Sequence, residues 1–299
     1  MLTCVSPKQW EGRPPAVASP PVNPYDLLQN VNGAWAVQPS SGVPSTNDVW
    51  SWNGTIWTPR AVGAGAIQPF VPDANTVGLW RLDGSLSNLV DPSNPLIVDV
   101  GTEVYADIVP GKRAFYFSGG TRLKVNAFVS ALARTGDVTC AMMIQLDADP
   151  TSSTIFCGHG ASGETQAANI LYSMQCLNST PPRSMNFLSE HDNGVNDSFT
   201  TSAPASLPPI HNIGLLGFSR ISDIIQFYYC GKPLGSASSA LNTPNGGGNG
   251  RFYVGASDGT TVCTRMLCWG VMVEDIGWTD SEWLACYNQT LGPAFGTLT

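Results

Sequence analysis

Oxygen-bearing and titratable side chains are concentrated in one short stretch of the sequence, residues 190–197. Carboxylate and amide oxygens are ligands that Ca²⁺ prefers, and they also hydrogen-bond sugar hydroxyls. The stretch contains Asn-Gly, which is typical of tight turns, so we expect it to connect two strands. It is a candidate calcium- or glycan-binding loop, with a solvated turn as the alternative interpretation. Its candidate ligands are Glu190, His191, Asp192, Asn193, Asn196 and Asp197.

The sequence does not carry the pattern expected of a hydrolase. Glycosidic cleavage needs two carboxylates about 5–9 Å apart, and on a strand such a pair occupies alternate positions, which share a face. Glu190 and Asp192 have this spacing, but they adjoin the turn and lack a third acid. No Cys-x2-Cys motif occurs and the three histidines are scattered, so no Ser-His-Asp pattern stands out and a zinc site is poorly supported. We predict a protein that is not an enzyme and has no confident metal site, with a glycosidase that uses Glu190 or Asp192 as an alternative.

Residues 1–75 differ in composition from the rest of the chain, since they hold 11 of the 23 prolines and five of the nine tryptophans. Proline fixes φ and removes an N–H donor, so we expect an extended arm. Within it, residues 48–59 place aromatic side chains on both sides of Asn53-Gly54, the preferred type I′ turn pair, and so predict a small hairpin. Its tryptophans, expected either to cover one another or to stack on sugars, are Trp50, Trp52 and Trp57.

Charge and hydropathy exclude two classes of partner. The net charge is −8 with only 14 Lys and Arg residues, so we expect no nucleic-acid binding, which depends on phosphate neutralisation. No apolar run reaches the roughly 18 residues of a membrane helix, so no membrane insertion is expected. The first residues lack the basic and apolar regions of a signal peptide, which predicts a protein made in the host cytoplasm without export.

Residues 76–299 contain short apolar runs separated by turns. Residues 121–125 alternate cleanly between polar and apolar side chains, and residues 138–146 form a longer run. The convincing helix signal is residues 279–287, where Thr279 and Glu282 have capping-box spacing. Many short strands without interleaved helices predict an all-β fold, a two-sheet jelly-roll sandwich preceded by the extended arm.

The order and spacing of several of these segments resemble the LamG-like / concanavalin A-like lectin superfamily. The similar segments are residues 77–84, 114–125, 138–146, 227–236, 251–255 and 268–283. The resemblance covers nearly three quarters of the chain and implies a jelly-roll domain over residues 76–299, with residues 114–125 as a hairpin. It also implies a tendency to bind glycans or proteins. Cys230 stands where the family often has Asp, so the resemblance does not imply a calcium site.

The hairpin of residues 48–59 is similar to small hairpins of bacteriophage tail and fibre proteins. Together with the arm and the absent signal peptide, this similarity favours a virion structural protein of a bacteriophage. Residues 1–75 would then attach to other virion proteins, and the jelly roll would point outward as a capsid decoration, tail fibre or adhesion module. We expect a homo-oligomer with possible affinity for host surface polysaccharide. The alternative is a free carbohydrate-binding protein of the lectin type.

Overall fold

Strands make up nearly all the regular structure that the computed structural model describes, and two short helices follow them at the end. By contacts the chain divides into two units, Met1–Gly63 and Ala64–Thr299. The described residues are 27–31, 34–38, 48–52, 57–61, 67–109, 111–147, 154–161, 170–177, 184–190, 196–200, 212–222, 224–238, 250–256 and 265–295.

In the first unit the description covers two antiparallel hairpins. Strands β1 (Leu27–Val31) and β2 (Ala34–Gln38) form one, and β3 (Asp48–Trp52) and β4 (Trp57–Ala61) form the other. The sequence predicted the second hairpin but not the first. In the second hairpin Trp52 pairs with Trp57, so four residues separate the strands. The expected two-residue turn at Asn53-Gly54 is therefore wrong; the turn residues themselves lie outside the described residues.

The second unit is a sandwich of two antiparallel sheets, which confirms the predicted jelly roll. Its strands are β5 (Thr76–Arg81), β6 (Leu96–Val100), β7 (Tyr105–Val109), β8 (Lys112–Ser118), β9 (Arg122–Val125), β10 (Val138–Leu146), β11 (Thr154–Ala161), β12 (Ile170–Leu177), β13 (Ser184–Glu190), β14 (Asn196–Thr200), β15 (Ile213–Ile221), β16 (Ile224–Tyr229), β17 (Lys232–Ser238), β18 (Gly250–Val254) and β19 (Arg265–Glu274). One sheet has eight strands in the order β17-β16-β15-β10-β19-β8-β7, with β5 also paired to β19. The other has seven strands in the order β14-β13-β12-β11-β18-β9-β6.

The main core lies between the inner faces of the two sheets. Trp80 of β5 stacks on Phe252 of β18, with ring centroids 5.2 Å apart and planes within 9°. Cys140 of β10 is fully buried. Its Sγ lies 3.3 Å from Sγ of Cys157 on the opposite sheet. Burial of these large side chains from both sheets is what holds the sandwich together.

A second core covers the outer face of the eight-stranded sheet. Residues 67–70 and the helices α1 (Asp280–Thr290) and α2 (Gly292–Phe295) pack there. Trp283 of α1 stacks on Tyr228 of β16 at a centroid distance of 4.7 Å. The capping box of Thr279 and Glu282 begins α1, as the sequence predicted. The two ends of this unit are joined where the N–H of Gln68 donates to the carbonyl of Thr290 at 2.9 Å.

A bulge lets β19 serve both cores. Met143 of β10 pairs with Gly270, but Ile144 pairs with Cys268, so Trp269 is the extra residue. An extra residue reverses which face each following side chain occupies. Cys268 and Val271 consequently both face the main core, while Trp269 faces the second core.

Residues 114–125 do not form the hairpin that the family resemblance implied. Strand β8 belongs to the eight-stranded sheet, whereas β9 belongs to the seven-stranded sheet. Gly119, with φ of 92°, lies in the crossing between them. Phe117 and Leu123 face the main core from opposite sheets. A hairpin within one sheet would show the same alternation of buried and outward side chains, so the sequence pattern does not separate the two arrangements.

Candidate functional site

The stretch that the sequence singled out spans the edge hairpin of the seven-stranded sheet. Glu190 is the last residue of β13, and its register partner is Asn196, the first residue of β14. Asn196 and Asp197 were expected in a loop, and that expectation is wrong because both belong to the edge strand. His191, Asp192 and Asn193 lie outside the described residues, as do the side chains of the other three candidates. The backbone thus brings the stretch to one end of the sheet edge, and the predicted calcium or glycan contacts stay a prediction.

The tryptophan hairpin is placed by its backbone register. Trp50 pairs with Pro59, and Trp52 pairs directly with Trp57. Residues opposite one another in an antiparallel pair share a face, so Trp52 and Trp57 occupy one face of the ribbon. Their side chains lie outside the described part, so mutual covering and sugar stacking both stay predictions.

The two sandwich sheets differ in their outer faces. The eight-stranded sheet is covered by the second core, whereas the described outward positions of the seven-stranded sheet are mostly polar. A register row crosses five strands of this sheet, and its successive positions are Ile97, Lys124, Tyr253, Gly158 and Ser173. We call the outward positions of these strands the polar face; its described side chains are Ile97, Asp99, Arg122, Lys124, Ser173, Gln175, Asn186, Arg251 and Tyr253.

Positive charge predominates at one end of the polar face. Asp99 of β6 accepts from Nε of Arg122 at 2.5 Å and is also ion-paired with Lys124. Burial raises the pKa of Asp99, but hydrogen bonds and charge from Lys124 and Arg122 outweigh this and lower it below its usual value. Arg251 donates from Nη1 to the carbonyl of Asn126. These three partly exposed basic residues against one acid leave a local net positive charge on a chain whose total is −8.

The middle of the polar face carries buried hydroxyl groups without partners. The hydroxyls of Tyr253 and Ser173 are buried, and neither makes a hydrogen bond within the protein. Gly158 lies between them in the register row, and a Cβ there would stand 2.8 Å from Cβ of Ser173. Next to them, Nε2 of Gln175 donates to Oδ1 of Asn186 at 2.7 Å. An unpaired buried hydroxyl costs about 1–3 kcal/mol; because Tyr253, Ser173 and Asn186 are each 0% exposed, these groups are closed to solvent.

The sequence carries one signal for this face, in the alternation of residues 122–125. Arg122 and Lys124 alternate with Leu123 and Val125, which indicates one polar and one buried face. The alternation does not reveal that Tyr253 and Ser173 join the same row, because strand order is set by the tertiary fold.

The described part of the chain contains no cluster of three His, Cys, Asp or Glu side chains able to hold a metal ion. In the same residues, no helix is both long and apolar enough to cross a membrane.

No protein-family model matches the chain, and a search of curated proteins finds no match. Solved structures do share its fold. Domain 4 of AbnA, a GH43 extracellular arabinanase from Geobacillus stearothermophilus solved with arabinotriose, has a TM-score of 0.54 at 14% identity, covering 72% of this chain and 100% of that domain. The botulinum neurotoxin serotype D ligand-binding domain, solved with N-acetylneuraminic acid, has a TM-score of 0.52 at 10% identity, covering 72% of this chain and 51% of that one.

The binding domain of Paraclostridial Mosquitocidal Protein 1 is also similar, with a TM-score of 0.55 at 11% identity, covering 72% of this chain and 52% of that one. The chain thus spans about half the length of the toxin domains that it matches. At these identities the likeness shows a shared β-sandwich fold.

Proposed function

We propose that the sandwich, Ala64–Thr299, is a glycan-binding module that binds acidic sugars through its polar face. The observation that carries the proposal is the juxtaposition of Arg122, Lys124 and Arg251 with the row of polar side chains beside them. Cationic groups hydrogen-bond a sugar carboxylate more strongly than neutral groups do. Sugar hydroxyls both donate and accept, as do the hydroxyl and amide side chains of this face. The fold shared with domains solved with arabinotriose and N-acetylneuraminic acid supports the proposal.

The proposal assigns binding without catalysis. Its support is the sequence, which lacks the paired carboxylate pattern of glycosidases on a strand. Incubation with a panel of acidic and neutral polysaccharides should release no reducing ends. Release that disappears in Glu190→Gln or Asp192→Asn would favour the glycosidase alternative instead.

Binding is tested with the full chain and a panel of immobilised glycans that differ in carboxylate content. We expect binding to uronate- or sialate-containing glycans that weakens as salt screens the charges. The double variant Lys124→Ala, Arg251→Ala should lose at least about tenfold in affinity, since each lost charged contact is worth about 1.5–3 kcal/mol. Lys232→Ala removes one exposed charge from β17 on the other sheet and should bind as the wild type does. Equal binding by the double variant and the wild type would overturn the assignment of this face.

We further propose that the module belongs to a bacteriophage particle and that the predicted arm, residues 1–75, attaches it to other virion proteins through the part that precedes the sandwich unit, Met1–Gly63. The Pro- and Trp-rich composition of this segment supports the proposal, as does its hairpin at 48–61, which is similar to those of tail and fibre proteins. Several copies on a particle would strengthen weak glycan contacts. Mass spectrometry and antibody-gold labelling of purified particles test it. Absence from clean particles would favour a free lectin-type protein.

A further inference from the structure

A cavity of about 230 Å³ lies on the side of the sandwich unit opposite the polar face. Residues 70–75, the end of β19 and helix α1 enclose it. Phe70 and Trp278 form apolar walls, while Asp73, Glu274 and Glu282 contribute carboxylates, and none of its lining residues is a Lys or Arg. The cavity therefore combines apolar surface with negative charge that no lining side chain compensates.

Glu274 is the buried member of this acidic set, with 1% of its surface exposed. Its Oε1 accepts a hydrogen bond from Oγ1 of Thr76 at 2.7 Å. Its Oε2 is buried and makes no hydrogen bond within the protein. Leaving a buried carboxylate oxygen unpaired is costly, so a donor that reached it would be favoured.

The other two carboxylates each use one oxygen inside the protein. Oδ1 of Asp73 accepts from the N–H of Asn75 at 2.7 Å. Oε2 of Glu282 accepts from the N–H of Thr279 at 2.6 Å. One oxygen of each of the three carboxylates thus remains for a ligand. Three single acceptors suit the three donors of an ammonium group better than the paired donors of a guanidinium, which favours two oxygens of one carboxylate.

The charges around Glu274 are negative on every side that the cavity presents. Asp73 precedes β5, Asp275 follows Glu274, and Glu282 lies on α1, whereas the thiol of Cys286, also on α1, is uncharged because burial raises its pKa to about 12. Burial raises the pKa of Glu274 to about 7, and the neighbouring acids Asp73 and Asp275 contribute, against the hydrogen bond from Thr76. A cation bound in the cavity would reverse this shift by stabilising the ionised carboxylate.

We propose that this cavity binds an alkylammonium group, with the carboxylates holding the ammonium and the apolar walls holding the alkyl stem. A lysine side chain of a partner polypeptide and a free alkylamine share this chemistry. The aromatic ring of Trp278 adds a surface that attracts cations.

The test is calorimetric titration of the full chain with butylammonium, with Nα-acetyl-lysine amide, and with 1-butanol as the uncharged counterpart. We expect saturable binding of at least one cation and none of the alcohol. Tighter binding of the lysine derivative would indicate a polypeptide partner, and equal or tighter binding of butylammonium would indicate a free amine. Failure of both cations to bind below about 10 mM would overturn the proposal.

Two further readouts separate a site at Glu274 from nonspecific attraction. With a pKa of about 7, Glu274 should release about half a proton per cation bound at pH 7, and affinity should rise about tenfold from pH 6 to pH 8. Glu274→Gln keeps the acceptor for Thr76 and should lower affinity by about tenfold or more while abolishing the proton release. Asp73→Asn, an exposed change, should weaken binding with the fold intact.

Glu103→Gln is the matched control, because it removes an equal charge from an exposed carboxylate that accepts from the hydroxyl of Tyr105 at 2.8 Å. It should bind the cations as the wild type does. Equal affinity of Glu274→Gln and the wild type would place the cation elsewhere and refute the assignment.

Discussion

His159 should make the stability of the sandwich depend on pH. The side chain is 0% exposed, and neither ring nitrogen has a hydrogen-bond partner. Its ring lies between Tyr172 and Phe128, with centroids 6.0 and 6.4 Å away. Burial in these surroundings disfavours the charged imidazolium and lowers the pKa of His159 to about 4.

The sign and size of this pH effect follow from the number of protons that the folded and unfolded chains bind. Below an unfolded pKa of about 6.5 the unfolded chain binds a proton that the folded chain does not, so the free energy of unfolding falls as the pH drops towards 4. Between pH 7 and pH 4.5 the difference amounts to about 2 kcal/mol for this one residue. The contribution is fully present above the unfolded pKa.

Urea unfolding of the wild type and of His159→Phe at several pH values between 4.5 and 7 measures this effect. Phenylalanine cannot titrate and can pack against the same aromatic rings. The stability of the wild type relative to the variant should therefore fall by about 2 kcal/mol over this range. An equal difference at both ends of the range would refute the reasoning, because it would mean that His159 takes up its proton in the folded state.

Glu274 acts in the opposite direction within the same range and serves as an internal check. Its pKa is raised to about 7, so its contribution to stability is present at low pH and is lost as the pH rises towards 7. Glu274→Gln removes this opposing titration, so the free energy of unfolding of the variant should fall more steeply than that of the wild type as the pH drops from 7 to 4.5. A flatter profile in this variant would contradict the raised pKa.

Three further changes test the packing. Gly217→Ala should destabilise the protein by about 1–3 kcal/mol in urea unfolding, because a Cβ there would lie 2.3 Å from Cη2 of Trp283. Cys230→Asn should raise the melting temperature, because φ at this turn residue is 48° and asparagine tolerates that region better. A lower melting temperature would mean that the lost contacts of the Cys230 side chain outweigh the relief of backbone strain. Trp80→Leu should cost about 3 kcal/mol by loss of the stack on Phe252, and a loss below about 1 kcal/mol would show that the core closes around the smaller side chain.

Local patterns predicted the elements whose identity depends on nearby residues. The apolar run at 138–146 became β10 with its bounds intact, and the capping box at Thr279 marked the start of α1. These features are decided within a few residues of chain.

Features decided by distant parts of the chain were missed. Periodicity indicates that β8 and β9 each bury one side, but it does not say that they lie in different sheets. In the sequence Glu274 is only one of two adjacent acids, and its burial depends on residues 70–75, which are far from it in the chain, as well as on α1. His159 gave no signal either, because its burial comes from the assembled sandwich.

The bond between Gln68 and Thr290 has a consequence for how this unit can be displayed. Both of its described ends, residues 67–70 and 290–295, pack on the outer face of the eight-stranded sheet. Any tether attached at either end leaves from that side, whatever its length or composition. The polar face is then presented away from the point of attachment, so the unit can be fused, immobilised or arrayed through either end without hiding it.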